Sequence, residues 1–339
     1  MLTPKENYLR VLNGEVPEWI PSYTQQPVPE GINATPSIMF EPSVLNPHRK
    51  GLSDRDLWGV KFVGCADADG AMMSDPTERI LPDITKWRDV IKAPDLSDVD
   101  WEMLAKKDLE QSGIDRHYTC VAFNTNFGMF QQLMAFMGFT EGLCALYEEP
   151  EECHALLDYV CDFYCGVIEK CIDYYKPDVF TMKDDTAGAT SPFISLDMYK
   201  EFFLPLYKRQ AKFATDRGLP ITFHNCGTSM HFIEEVIPIG VRSWDPAQVI
   251  NDLDSFKAKH GRSCAIAGGW IGRDDLLADG VTDEQIYESV RTTINRYAPG
   301  GGYIWCGSLL GGTFDPEIAR KNAVVRKAVA EIGANYYGC

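Results

Sequence analysis

Leu219-Pro-Ile-Thr-Phe-His224-Asn225-Cys226-Gly227 reads as a short buried strand that ends at a polar turn closed by glycine. Side chains alternate faces along a strand, so Thr222, His224 and Cys226 point one way while Ile221 and Phe223 point the other. An imidazole and a thiol two residues apart on one face can reach one cation. Zinc suits that pair, binding nitrogen at ~2.0–2.1 Å and sulfur at ~2.3 Å. A buried thiol beside a hydrogen-bonded histidine would explain the same letters without a metal. A second strand-end thiol, Cys306 in Gly301-Gly-Tyr-Ile-Trp-Cys306-Gly307-Ser308, favours the cation. His224, Cys226 and Cys306 together make the three-ligand set of a catalytic zinc with an open fourth position. Two thiolates and a neutral imidazole cancel the charge of Zn²⁺ and leave it able to accept an anionic oxygen or sulfur.

Outward from this strand the chain alternates strands with helices. Upstream, Tyr118–Phe123 ends in Asn124-Thr-Asn126, and Val179–Met182 ends in Lys183-Asp184-Asp185. Downstream, Val241–Trp244 ends in Asp245, Cys264–Ala267 in Gly268-Gly269-Trp270, and Tyr303–Trp305 in Cys306. Helical periodicity fills the intervals, most clearly over Glu149–Tyr175 and Asp283–Tyr297. Near the start, Thr3-Pro4-Lys5-Glu6 is a capping box that opens a helix, and Trp19–Tyr23 reads as a first strand. Asp56–Phe62 is the only β-like piece in an otherwise irregular stretch from 24 to 115. These alternations predict a single (β/α)8 barrel over residues 1–339, with 24–115 as an N-terminal elaboration covering part of it. An open doubly wound sheet is the alternative, but no dinucleotide-binding glycine fingerprint is present. In a barrel the polar strand ends gather on one rim, where active sites form.

Composition narrows the function. Acidic residues outnumber basic ones 49 to 32, a formal charge of −17, which excludes a nucleic-acid surface. No apolar run is long enough for a membrane span, and no signal peptide is evident. Eleven cysteines in 339 residues, several on one helix, read as thiols in a reducing, cytoplasmic setting.

The chain resembles the uroporphyrinogen decarboxylase superfamily, in its zinc-dependent corrinoid methyltransferase branch. The resemblance is carried by Trp58-Gly59, Met182-Lys-Asp184-Asp185 with Ser191-Pro192, and His224-Asn-Cys226-Gly227. Further on it is carried by Asp245-Pro246-Ala-Gln248, Gly268-Gly269 and Gly301-Gly-Tyr303 through Cys306. It implies zinc held by the histidine and the two cysteines, and a methyl group exchanged with a cobalamin-type corrinoid on a partner protein. The decarboxylase itself is known for an arginine-rich segment after the first strand. This chain has Ser22-Tyr-Thr-Gln-Gln-Pro-Val-Pro there, without arginine.

Phe127, Met129, Trp270 and Trp305 lie beside strand ends and would wall a flat ring, although core packing accounts for such residues equally well. Asn124, Asn126 and Gln248 are candidates to hydrogen-bond a substrate. Asp184 and Asp185 are candidates for orienting it, lending a transient ligand or moving a proton, unless they cap a helix. The expectation is O-demethylation of a small methoxylated aromatic compound, with the methyl group passed to the Co(I) corrinoid of the partner protein. Transfer from methylcorrinoid to a thiol is the alternative, followed by decarboxylation or a non-catalytic zinc scaffold.

Overall fold

The computed structural model describes residues 2–22, 36–65, 71–125, 128–272, 274–310 and 315–338. It opens with helix α1 (Pro4–Leu12), capped at Thr3 by the expected capping box with Glu6. Strand β1 (Ser37–Phe40) follows, then β2 (Phe62–Cys65), β3 (Ala71–Ser74), the short α2 (Trp87–Val90) and α3 (Trp101–Ser112). Next come β4 (Cys120–Asn124), α4 (Met129–Met137), α5 (Phe139–Glu148), α6 (Pro150–Tyr175) and β5 (Val179–Lys183). Beyond lie α7 (Leu196–Met198), α8 (Leu204–Thr215), β6 (Ile221–His224), α9 (Met230–Val236), β7 (Val241–Ala247) and α10 (Leu253–His260). The chain finishes with β8 (Ala265–Gly268), α11 (Asp283–Tyr297), β9 (Tyr303–Ile304) and α12 (Pro316–Gly333). No described helix is long and apolar enough to cross a membrane.

Seven strands form one parallel sheet in the order β1-β4-β5-β6-β7-β8-β9. The sheet curls. Inward residues Cys120 and Ala122 of β4 and Val179 of β5 share an apolar cluster with Ala265, Ala267 and Ile304 of β8 and β9, several places away in the order. Small side chains fill this interior, and Tyr8, Val11 and Leu12 of α1 stopper its lower end. The outward residues of the sheet, such as Phe123, Phe180, Phe223, Trp244 and Tyr303, pack against the surrounding helices. That period of two is what a sheet buried on both faces requires.

Three expectations need correction. The first strand, Trp19–Tyr23, is reduced to one parallel bridge between Ser22 and Trp305, and Tyr23 lies outside the described residues. Asp56–Phe62 is not a barrel stave. Asp56 accepts hydrogen bonds from the amides of Trp58 and Val60, which folds the segment into a turn, and β2 then pairs antiparallel with β3. The stave beside β4 is β1, from the stretch read as irregular. A complete eight-stranded barrel was expected; among the described residues the sheet has seven strands, and no ladder joins Ser22 to β1. The stretch 24–115 also holds α3, capped by Asp100, and its Trp58, Trp87 and Trp101 enter the same apolar cluster as α4 and α6. Pro205, with no amide hydrogen to donate, lies just after a π-helical turn at Tyr199–Phe203, between α7 and α8.

Candidate metal centre

Three parallel staves bring their C-terminal ends together here. Register pairs Lys183 with His224 and His224 with Asp245, so the polar residues at and just beyond these ends meet at one height. The turn after β6 is held from several sides. Asn225 donates its amide to the Asp245 carbonyl at 2.9 Å, and its side chain is buried against Thr186. Trp244 Nε1 donates to the Asn225 carbonyl at 3.0 Å, and the Gly227 amide donates to Gln248 Oε1 at 2.7 Å. Gly227 adopts φ +80°, and a Cβ there would fall 2.4 Å from the Ala187 carbonyl oxygen, so only glycine fits.

On this turn His224 Nε2 stands 3.5 Å from Cys226 Sγ and 3.9 Å from Asp185 Oδ1. Donor atoms of Asp185, His224 and Cys226 all lie within 4.8 Å of one another. Asp185 is fixed by the Cys226 amide, which donates to its Oδ1 at 3.0 Å, and by Gln131 Nε2, which donates to Oδ2 at 2.9 Å. His224 Nδ1 faces the buried carboxylate of Asp245 at 3.0 Å. Burial opposes a charge on His224, yet its bonds to Asp245 and Cys226 outweigh that and push its pKa up to about 10. A site that draws a proton so strongly is one whose surroundings favour a positive charge.

Cys306 does not join this triplet. It lies just beyond β9, with β7 and β8 between it and β6, and its thiol is pushed up to about 12 by burial first and then by the charges of Asp245 and Cys226. The two adjacent aspartates part company. Asp185 turns into the mouth, whereas Asp184 is fully buried on the helix side. Asp184 accepts from the Phe130 and Gln131 amides at the start of α4 and from the Tyr207 hydroxyl at 2.5 Å. Burial raises its pKa to about 6 against these bonds. Its carboxylate sits against Gly128, where a Cβ would come within 2.2 Å of it.

The other sequence-based candidates scatter. Asn124 is buried near Met39 Sδ at 3.8 Å, and Gln248 is engaged by the Gly227 turn. Met129 and Trp305 are fully buried in the helix-facing core, while Trp270 is part-buried, tilted against Trp305 with ring centroids 5.4 Å apart. Asn126 and Phe127 lie outside the described residues. Sequence reasoning did not single out Asp245 as the partner of His224, although both end neighbouring staves. It also missed a cavity of about 670 Å³ that reaches Asp185 and Gln131 from the segment between Leu45 and Arg79. Trp58, Phe62, Phe130, Phe193, Met72 and Met134 supply its apolar walls. At its margin His48 is buried and stacked on Phe62 at 4.1 Å, and burial lowers its pKa to about 4, so it is neutral.

Comparisons with known proteins agree with this architecture. A solved methyltransferase from Methanosarcina mazei superposes with a TM-score of 0.65 over 98% of this chain and 99% of its own, at 15% identity, a likeness of fold. The methylated-thiol–coenzyme M methyltransferase of Methanosarcina mazei is 29% identical over 155 residues, 43% of this chain. The match spans only 37% of that relative's length. The uroporphyrinogen decarboxylase (URO-D) family profile matches residues 126–308, more than half of the sequence and the part that carries β5 to β9 with their rim. The chain therefore belongs to the uroporphyrinogen decarboxylase family.

Proposed function

We propose that the chain is a zinc-dependent methyltransferase that removes the methyl group of a small methoxylated aromatic compound and passes it to the Co(I) corrinoid of a partner protein. The observation that carries this reading is the cavity walled by aromatic and methionine side chains, which ends on Asp185 beside His224 and Cys226.

The donor set suits zinc. Tetrahedral bonds of ~2.05 Å to nitrogen and ~2.3 Å to sulfur separate the two donors by roughly 3.5 Å. His224 Nε2 and Cys226 Sγ are 3.5 Å apart. His224 also has the outer carboxylate that orients metal-ligating histidines. In this reading His224 and Cys226 are ligands, Cys306, which stands outside their triplet but near enough to feel the charge of Cys226, would complete the set, and Asp185 would be an oxygen donor that gives way to substrate. Zinc would supply Lewis acidity toward the ether oxygen and ease departure of a phenolate, whose parent pKa near ~10 already makes it a fair leaving group.

The chain's own residues perform the rest. Trp58, Phe130 and Phe193 bury the ring and keep water away from it. Gln131 and the Cys226 amide each donate to Asp185 and fix it at the mouth, and we assign it orientation of the substrate; the departing phenolate takes its proton from water. The CH₃–O bond breaks with its electron pair on oxygen, and the reduced corrinoid contributes the pair for the new bond. The free thiols of the described cysteines suit a cytoplasmic setting. Decarboxylation is not assigned, because the Ser22–Pro29 segment has no arginine to grip carboxylates.

The test is methylation of Co(I) cobalamin by guaiacol-type ethers, run beside demethylation of methylcobalamin by thiols. Cobalamin methylation that Cys226→Ser and Cys306→Ser abolish supports the reading, and its absence with every aryl methyl ether refutes it. The second reading, methyl transfer to a thiol, is favoured by the activity for which the 29% identical relative is named. It predicts activity only in the thiol arm. A scaffold without catalysis predicts neither.

A further inference from the structure

We propose a second ligand site, for a small phosphate-bearing molecule, at the end of the sheet opposite Asp185. A cavity of about 410 Å³ opens there, where α1 and α8 end and β6, β7 and β8 begin. All three strands are parallel, so this is the N-terminal rim, remote from the metal centre. Arg242 and Arg262 line it, with Asn13, Thr215 and Ser263 adding polar groups.

Charge makes this place unusual. In a chain whose acids outnumber its bases 49 to 32, guanidinium groups readily find carboxylates. Arg55, Arg79, Arg209, Arg217, Arg296 and Arg320 each have one. Arg242 and Arg262 are exposed and have none among the described residues, and no Asp or Glu lines their cavity. Glu15 and Asp216, the acids next to it in sequence, are occupied by Arg10 and Lys212. Local positive potential is also visible at Lys257, whose pKa falls to about 8, chiefly through burial and then through the charge of Arg262.

The helix ends nearby do not use up this charge. The C-terminus of α8 has Lys212, and that of α10 has Lys257, Lys259 and His260, the cations that the helix dipole calls for. Arg242 and Arg262 are surplus to that need. Two guanidiniums lining one cavity, with the Asn13 amide beside them, match the donors that phosphate oxygens accept from, while the Thr215 and Ser263 hydroxyls already donate to the Lys212 and His260 carbonyls. The volume exceeds that of a bare phosphate and admits an organic portion. The proposal does not depend on the chemistry assigned to the other rim.

Isothermal titration of the full chain with inorganic phosphate, pyrophosphate and AMP, at ionic strength fixed with chloride, tests it. Saturable binding of at least one of the three is expected, weakened about tenfold by R242Q or R262Q and lost in the double variant. Both residues are exposed, and unchanged melting of the variants without ligand would show that they fold. A His224→Ala/Cys226→Ser variant should bind as the native chain does, which separates this site from anion capture by a metal. Three outcomes would overturn the proposal: no heat beyond the chloride control, equal affinity in R242Q/R262Q, or loss of binding only in the His224 variant.

Discussion

Asp245→Asn is the most direct probe of the metal centre. Asp245 is 3% exposed, its Oδ2 receives His224 Nδ1 at 3.0 Å, and its Oδ1 has no hydrogen-bond donor among the described residues. Asparagine is nearly isosteric, so the turn should keep its shape. Its carbonyl can still accept from Nδ1 only if the amide NH₂ occupies the position of Oδ1. A buried amide without an acceptor costs about 1–3 kcal/mol, and flipping it would set NH₂ against the Nδ1 proton. Either arrangement loosens the imidazole and removes the charge that raises its basicity. Outer-sphere changes of this kind lower metal affinity about 10–100-fold, or about 1.4–2.8 kcal/mol. The assay is zinc competition against a chromophoric chelator, with folding checked by far-ultraviolet dichroism. A folded Asp245→Asn protein that holds zinc as tightly as the native chain would refute the role given to this pair.

Gly227→Ala should lower the melting temperature by a few degrees, since a left-handed alanine costs about 1–2 kcal/mol before the Ala187 carbonyl is displaced; unchanged melting would contradict the close approach. Cys306→Ser and Asp185→Ala divide the ligand set. Zinc stoichiometry measured after dialysis should fall in the first and persist in the second, and the reverse would make Asp185 the third ligand. Asp56 offers a pH test, because burial, against its amide hydrogen bonds, raises its pKa to about 6 from a usual value near 3.8. The folded state then holds more protons than the unfolded chain between these values, so this group's penalty is full above pH 6 and fades as pH falls toward 4. Relative to Asp56→Asn, the native chain should gain about 2 kcal/mol between pH 7.5 and 4.5 in urea titrations, and a flat difference would contradict the burial.

Much of this architecture is legible in the letters, for identifiable reasons. The capping boxes at Thr3-Glu6 and Thr282-Gln285, and Asp315 ahead of Pro316, fix helix starts through local hydrogen bonds alone. Strands buried on both faces appear as apolar runs with a polar stop. What escapes is set by distant partners. Ser37–Phe40 is a stave only because β4 lies beside it, and four residues carry no period of their own. Alternation carried past the strand ends would have separated Asp184 from Asp185 and Trp305 from Cys306, each pair straddling the wall. Cys226 keeps the parity of His224 and stays in the mouth. The pairing of His224 with Asp245 needed the register between two strands, which one strand's sequence does not hold.

The helix that stoppers the interior has a consequence for biosynthesis. Tyr8, Val11 and Leu12 rest on Ala265, Ala267 and Ile304, and Pro21 accepts from the Trp305 amide. Helix α1 is synthesised well before β8 and β9, and its apolar face is covered only once they are in place. Such long sequence separation makes closure a slow, late event. A nascent chain arrested before β9 would therefore carry an unmet greasy surface along α1, a handle for a chaperone that greets emerging polypeptides.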